Sequence, residues 1–183
     1  MLRKIAFKAL LLIFVSFGLF ISFLRIAGYE PKDTSPGLWL SGHIVSETIT
    51  DWSFTNEIEE IFVETQTSYL LPHSITTYCA VYEGKFYLFS AYYEGGDFPY
   101  ARRWNQNVIR DPSVRLKINE DIYEQNLSVV SDESQKAPIH KAFVDKYPNW
   151  QSPGIKDVHI FLVEPRFNTN LSIPSQPIQR GIL

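Results

Sequence analysis

From Ala9 to Leu24 the chain runs without a charge, ALLLIFVSFGLFISFL, between Lys8 and Arg25. The stretch is apolar on every face. Extended to Ile5 and Tyr29, it reaches the ~20 residues a helix needs to cross a bilayer, with the flanking charges snorkelling outward. Glu30 to Gly37 (EPKDTSPG) then reads as a linker. Beyond it the pattern changes to short strands. Glu60 to Thr65 carries Ile61, Phe62 and Val63, and Thr76 to Val81 and Lys85 to Tyr92 flank Glu83-Gly84, a two-residue hairpin turn. In Lys85 to Tyr92 both faces are apolar, as in a barrel wall that meets a second layer or a partner subunit. Val114 to Ile118 alternates, with Leu116 and Ile118 on one side and Arg115 and Lys117 on the other. Asn119-Glu120-Asp121 turns into Ile122 to Val130, and Asp157 to Glu164 supplies a last strand. Two helices interrupt the series. Phe98 to Arg110 has Asp97 as a cap and Asp111-Pro112 as a stop, and Pro138 to Tyr147 turns Ile139, Ala142 and Phe143 inward.

About six short strands, joined by hairpins rather than βαβ units, predict a mainly β, α+β domain: a small barrel with one or two helices at its mouth. The organisation expected is a membrane anchor over 1–29, a linker over 30–37, the barrel over 38–166 and a tail over 167–183, rich in Asn, Ser, Pro and Gln. A cleaved signal peptide is the competing reading of the first segment. The one tempting site, after Ala27, puts Arg25 where a small residue is required, which favours an uncleaved anchor.

Charge sharpens this picture. The formal charge is -3, from 17 Lys and Arg against 20 Asp and Glu. Residues 1–32 hold Arg3, Lys4, Lys8, Arg25 and Lys32 against Glu30, which leaves 12 basic and 19 acidic residues in the rest. An acidic domain is the wrong sign for phosphate neutralisation, so nucleic acid is excluded as an expected partner. Basic residues ahead of the apolar segment keep the start in the cytoplasm and place the domain on the extracytoplasmic, periplasmic side of a single-pass chain. One cysteine, Cys79, rules out an internal disulfide and a Cys-based zinc site. His43, His73, His140 and His159 show no ligand spacing, so no metal is expected.

Two segments carry candidate chemistry. In Tyr100 to Asp111 (YARRWNQNVIRD), Arg102 and Arg103 fall in the first turn of the expected helix, where backbone N–H groups already favour an anion. Guanidinium forks there make a phosphate site, with Asn107 four residues on along the same face. The alternative is that both arginines pair with nearby acids such as Glu94 or Asp97 on a solvated face. The second segment is Leu71 to Thr77, whose Ser74, Thr76 and backbone amides could hold a ring edge or a phosphate-bearing chain. Its His73 is either a proton donor or a plain loop residue, and Ser and Thr are common in any strand. Gly95-Gly96-Asp97 reads as a turn, and Trp39 and Trp52 as core or interface aromatics.

Pro72-His73, the Glu83-Gly84 hairpin, Phe86 to Ser90, Trp104-Asn105-Gln106-Asn107-Val108 and Asp111-Pro112-Ser113-Val114 follow one another in an order with a known counterpart. The stretch Val63 to Ile118 resembles the flavin- and deazaflavin-binding split β-barrel superfamily, which includes pyridoxamine 5'-phosphate oxidase-like proteins and deazaflavin-dependent nitroreductases. The resemblance implies a six-stranded split β-barrel and a homodimer with FMN or a deazaflavin held between subunits. It also implies oxidoreduction of a small organic substrate. By the same resemblance Arg102 or Arg103 takes the cofactor phosphate, His73, Ser74 and Thr76 line the cofactor, and Trp104 and Asn107 pack or anchor the helix against it. No residue is marked as a catalytic acid, base or nucleophile, as expected where the cofactor carries the redox step. The basic residue these families often carry on the second strand is here Ile75 or Thr77. That departure supports the runner-up, a non-catalytic barrel that uses the same concavity to bind a small ligand or a membrane partner; a third reading is an envelope interaction protein working through Tyr92, Tyr93, Phe98 and Tyr100.

Overall fold

A computed structural model describes residues 2–91, 97–149, 151 and 153–166. The expected tail over 167–183 and the turn at Gly95-Gly96 lie outside the described residues. The chain begins with helix α1 (Leu2–Ala27), in which no residue of the span from Arg3 to Ala27 is buried. At 26 residues it is about 39 Å long, enough to cross a bilayer by length and composition. Then follow β1 (His43–Val45), a 3-10 turn at Ser53–Glu57, β2 (Ile61–Gln66), β3 (Pro72–Thr77), β4 (Cys79–Tyr82) and β5 (Lys85–Ala91). Helix α2 (Arg103–Arg110), β6 (Ser113–Ile118), β7 (Asp121–Val129), helix α3 (Glu133–Lys146) and β8 (Val158–Pro165) complete the series.

The strands are hydrogen-bonded in the order β3-β2-β6-β7-β8-β5-β4, and β1 adds to β7 in parallel. Tyr78 alone separates β3 from β4, so the two form one bent strand. Its first half pairs with β2 and its second with β5. At the bend the Phe89 N–H donates to the Tyr78 carbonyl (3.2 Å) and the Thr77 hydroxyl to the Phe89 carbonyl (2.6 Å). The sheet therefore closes on itself through this shared strand, and the six-stranded split barrel is the fold of the domain. The hairpin at Glu83-Gly84 forms as expected, with φ of 49° and 72°, the left-handed pair that a two-residue turn between twisted strands requires.

Alternation sorts the side chains into layers. Ile61, Val63, Phe86, Leu88, Leu116, Leu127 and Phe161 fill the interior, where Trp52 stacks on Phe86 with ring centroids 4.6 Å apart. Tyr87, Phe89 and Ile160 point outward and are covered by Ile139 and Phe143 of α3 and by Tyr147 just after it. The doubly apolar β5 is thus buried by a second layer within the chain. The barrel interior buries one of its faces and the α3 layer the other.

Three local expectations are corrected. Helix α2 starts at Arg103, not Phe98: Arg102 is the extended residue before it, and the Ala101 N–H donates to the Asp97 carbonyl to close a preceding turn. Asp97 therefore does not cap α2. Helix α3 starts at Glu133, five residues before Pro138, because the Asp132 carboxylate accepts from both the N–H (2.9 Å) and the hydroxyl (2.7 Å) of Ser134. The presumed linker Glu30–Gly37 is not free. It folds into a strap that runs back along itself, Tyr29 N–H to the Trp39 carbonyl and Leu38 N–H to the Tyr29 carbonyl, with Lys32 bridged to Ser35.

The strap lies on the outer face of β2, β3 and β6. Gly37 and Ser74 exchange backbone hydrogen bonds, the Leu40 N–H donates to the Glu64 carboxylate (2.6 Å), and Lys117 pairs with Glu30. Gly37 permits this approach, since a Cβ there would meet the Tyr29 carbonyl oxygen at 2.3 Å and the Ser74 hydroxyl at 2.5 Å. Beneath the strap Glu64 is buried and bonded to Arg115 (3.1 Å). Desolvation pushes its carboxyl above the usual range, against the Leu40 N–H and the Arg115 charge.

Candidate functional site

Helix α2 is seated in one end of the barrel by its own sequence. Trp104 and Val108 enter the interior core, and Trp104 packs on Phe161 at 4.9 Å. The two asparagines between them are buried and satisfied: Asn105 accepts from the Ser90 hydroxyl (3.0 Å), and the Asn107 amide donates to the Thr65 hydroxyl (2.9 Å). Thr65 in turn donates to the His73 carbonyl (3.0 Å). A relay from Asn107 through Thr65 thus fixes the start of β3 against α2. Arg110 adds a bond to the Gln66 carbonyl. The WNQN run is consequently a plug, with polar side chains spent on the barrel rim.

What is left at this mouth is cationic. Arg102 is half-buried, and its Nε donates to the Ala91 carbonyl (2.9 Å), which ties the start of α2 to the end of β5. Arg103 is exposed and makes no ion pair or hydrogen bond with an acid among the described residues. Its charge reaches His73, whose pKa is lowered first by burial and then by that guanidinium. A neutral His73 follows at neutral pH. Its Nδ1 is buried with no hydrogen-bond partner.

The residues singled out in the sequence divide accordingly. His73 and Arg103 come together at the α2 mouth, with Arg102 beside them. Trp104 and Asn107 anchor the helix from inside. Ser74 and Thr76 face outward from β3, on the opposite side of the strand from His73. Ser74 is fully buried under Gly37 of the strap, and its hydroxyl is unpartnered. The half-buried Thr76 stands beside Phe62 on that outer face. The alternative pairing of Arg103 with Asp97 does not form, and Glu94 lies outside the described residues. Sequence reasoning missed Thr65, Ser90 and Asn105, which position the plug. A threonine opposite an expected β3 was the available signal.

A guanidinium with no acidic partner among the described residues, a helix start and a buried unpartnered imidazole nitrogen fit a phosphate-bearing cofactor in chemistry. Ser74 is shielded from such a group by the strap.

No family model matches the chain, and no curated protein matches it. Solved structures do. A protein assigned as a pyridoxamine 5'-phosphate oxidase from Listeria innocua is 16% identical, with 63% of this chain and 90% of that chain covered and a TM-score of 0.47. An F420 reductase is 13% identical over 66% of this chain and 97% of its own, with a TM-score of 0.48. A NimC/NimA family protein from Clostridium acetobutylicum is 18% identical over 61% and 75%, with a TM-score of 0.45.

Proposed function

We propose that the chain is a membrane-anchored split-barrel protein that holds FMN or a deazaflavin at the α2 mouth and carries out oxidoreduction on a small organic substrate. One observation carries this reading: an exposed Arg103, without an acidic partner among the described residues, whose charge acts on His73, with the Nδ1 of His73 buried and unpartnered, at the start of α2. In this reading the Arg103 guanidinium would hold the cofactor phosphate, and the first N–H groups of α2 would share its charge. Arg102, bonded to Ala91, keeps the helix start at the rim. The neutral His73 offers its Nδ1 to the rest of the cofactor, and the Asn107–Thr65 relay holds that histidine's backbone in place. When bound, the cofactor supplies the hydride chemistry, and the chain supplies grip, orientation and exclusion of water. The protein works as a homodimer, with α1 in the membrane and the barrel on the extracytoplasmic side, as the basic residues before the span require.

A second reading, a non-catalytic barrel that binds a ligand or an envelope partner, draws support from the strap. It covers Ser74, one of the residues expected to line the cofactor. Visible absorbance separates the two. The full chain in detergent, mixed with FMN or with a deazaflavin and then desalted, retains a coloured band under the first reading, and Arg103→Ala loses it. No retained band for the unaltered protein with either compound leaves the second reading.

A further inference from the structure

An unbroken run of contacts joins helix α1 to the α2 mouth. Helix α1 ends in a left-handed turn at Gly28 (φ 80°), whose N–H donates to the Leu24 carbonyl (2.9 Å), and the Ser41 hydroxyl donates to the Ala27 carbonyl (3.0 Å). From there the strap reaches β3, where the Gly37 N–H donates to the Ser74 carbonyl (2.9 Å) and the Ser74 N–H to the Gly37 carbonyl (3.1 Å). The residue before Ser74 is His73, whose carbonyl is held by Thr65 and, through it, by Asn107 of α2. The start of β3 is therefore gripped from one edge by the strap and from the other by the plug helix.

The strap is seated against an opposing cost. It buries Pro31 and Leu40, and both peptide groups of Leu40 are taken up, the N–H by Glu64 (2.6 Å) and the carbonyl by Arg115 (3.1 Å). Glu30 pairs with Lys117. Two penalties lie under the same cover. The Ser74 hydroxyl is fully buried without a partner, and the Glu64 carboxylate opposite it on β2 is stripped of water, which raises its pKa against the pull of Leu40 and Arg115. Lifting the strap hydrates both groups, so water returns part of what the seated contacts lose. A segment held by a few bonds and compensated in this way opens ahead of the barrel as a whole.

We infer that the strap is a latch through which the membrane helix sets the position of His73: seated, it fixes the start of β3 at the α2 mouth, and lifted, it frees that start and weakens the hold of the mouth on an anion. Gly37 and Leu40 are then positioning residues, which act through β3 and touch no ligand. The effect on the anion rests on the function proposed above, whereas the effect on His73 does not. Linkage makes the effect reciprocal: an anion at the mouth steadies the strap by the factor with which the strap steadies the anion.

The test is nitrogen NMR of the imidazole rings in the full chain in uncharged detergent, with inorganic phosphate as the probe of the mouth and amide hydrogen exchange at Ser74 as the report on the strap. Gly37→Ala, whose Cβ would meet the Tyr29 carbonyl oxygen at 2.3 Å, lifts the strap. The expected result is faster exchange at Ser74, displaced His73 ring resonances, and unmoved resonances from His140 on α3. Phosphate affinity should fall by about fivefold, and saturating phosphate should slow Ser74 exchange in the unaltered chain. Lys117→Met removes the tie to Glu30 without a clash and should give the same changes to a smaller degree, which keeps the test decisive if Gly37→Ala does not fold. Displaced His73 resonances in a chain that binds no phosphate support the latch and reject the cofactor reading. The inference is overturned by His73 resonances that stay in place while Ser74 exchanges faster, by His140 moving as much as His73, or by Ser74 exchange that no folded variant accelerates.

Discussion

His159 stacks on Phe98 with ring centroids 4.1 Å apart, and burial, then the charge of Lys136, lowers its pKa from 6.5 to about 4. A histidine depressed in the folded state takes its proton more readily when unfolded. Its contribution is complete above pH 6.5 and is lost as the pH falls toward about 4. Denaturation midpoints should therefore fall over that interval, and His159→Phe should flatten the slope; an unchanged slope would reject the assignment. Glu64 behaves in the opposite sense. Arg115 is its charged partner at 3.1 Å, and Arg115→Met leaves a buried carboxylate unpaired at a cost of about 3 kcal/mol at neutral pH. That deficit should shrink on acidification, because the folded state then binds the proton. Urea titrations at several pH values check both statements.

The elements that were legible in the sequence are those whose pattern is local. The hairpin at Glu83-Gly84, the alternation of β6 and the tryptophan and valine of α2 each state their geometry within a few residues. The start of α3 was missed because Pro138 reads as a first-turn signal, while the actual cap, Asp132, sits among polar residues without an apolar period. The strap and β1 were missed for a related reason. Few apolar side chains mark them, and what holds the strap is backbone pairing, buried charge and a glycine that must lack a Cβ. Two substitutions distinguish these cases. Gly84→Ala meets nothing within 4 Å, so its cost is the left-handed backbone alone, about 1 kcal/mol. Gly37→Ala collides with backbone atoms at 2.3 and 2.5 Å and should release the strap. Faster hydrogen exchange at the Gly37 and Ser74 amides, with exchange in β5 unaltered, is the expected signature.

At the scale of the whole molecule the candidate site was legible in part. Arg103 and His73 converge because α2 and β3 share one barrel end. Ser74 and Thr76 fall on the other face because a strand alternates, and no spacing argument showed which face the strap would cover. The apolar β5, read as a wall against a second layer or a partner, is covered by α3, so the proposed homodimer needs its own test. Light scattering should give twice the 21.2 kDa chain mass after correction for detergent. The central claim is that Arg103 grips a cofactor phosphate at the α2 mouth, and phosphorus NMR of FMN and of a deazaflavin phosphate tests it most directly. The account predicts that the full chain shifts and broadens the terminal phosphate resonance of one of them and that Arg103→Ala abolishes the change. A resonance that neither protein moves, or that both move equally, would contradict it.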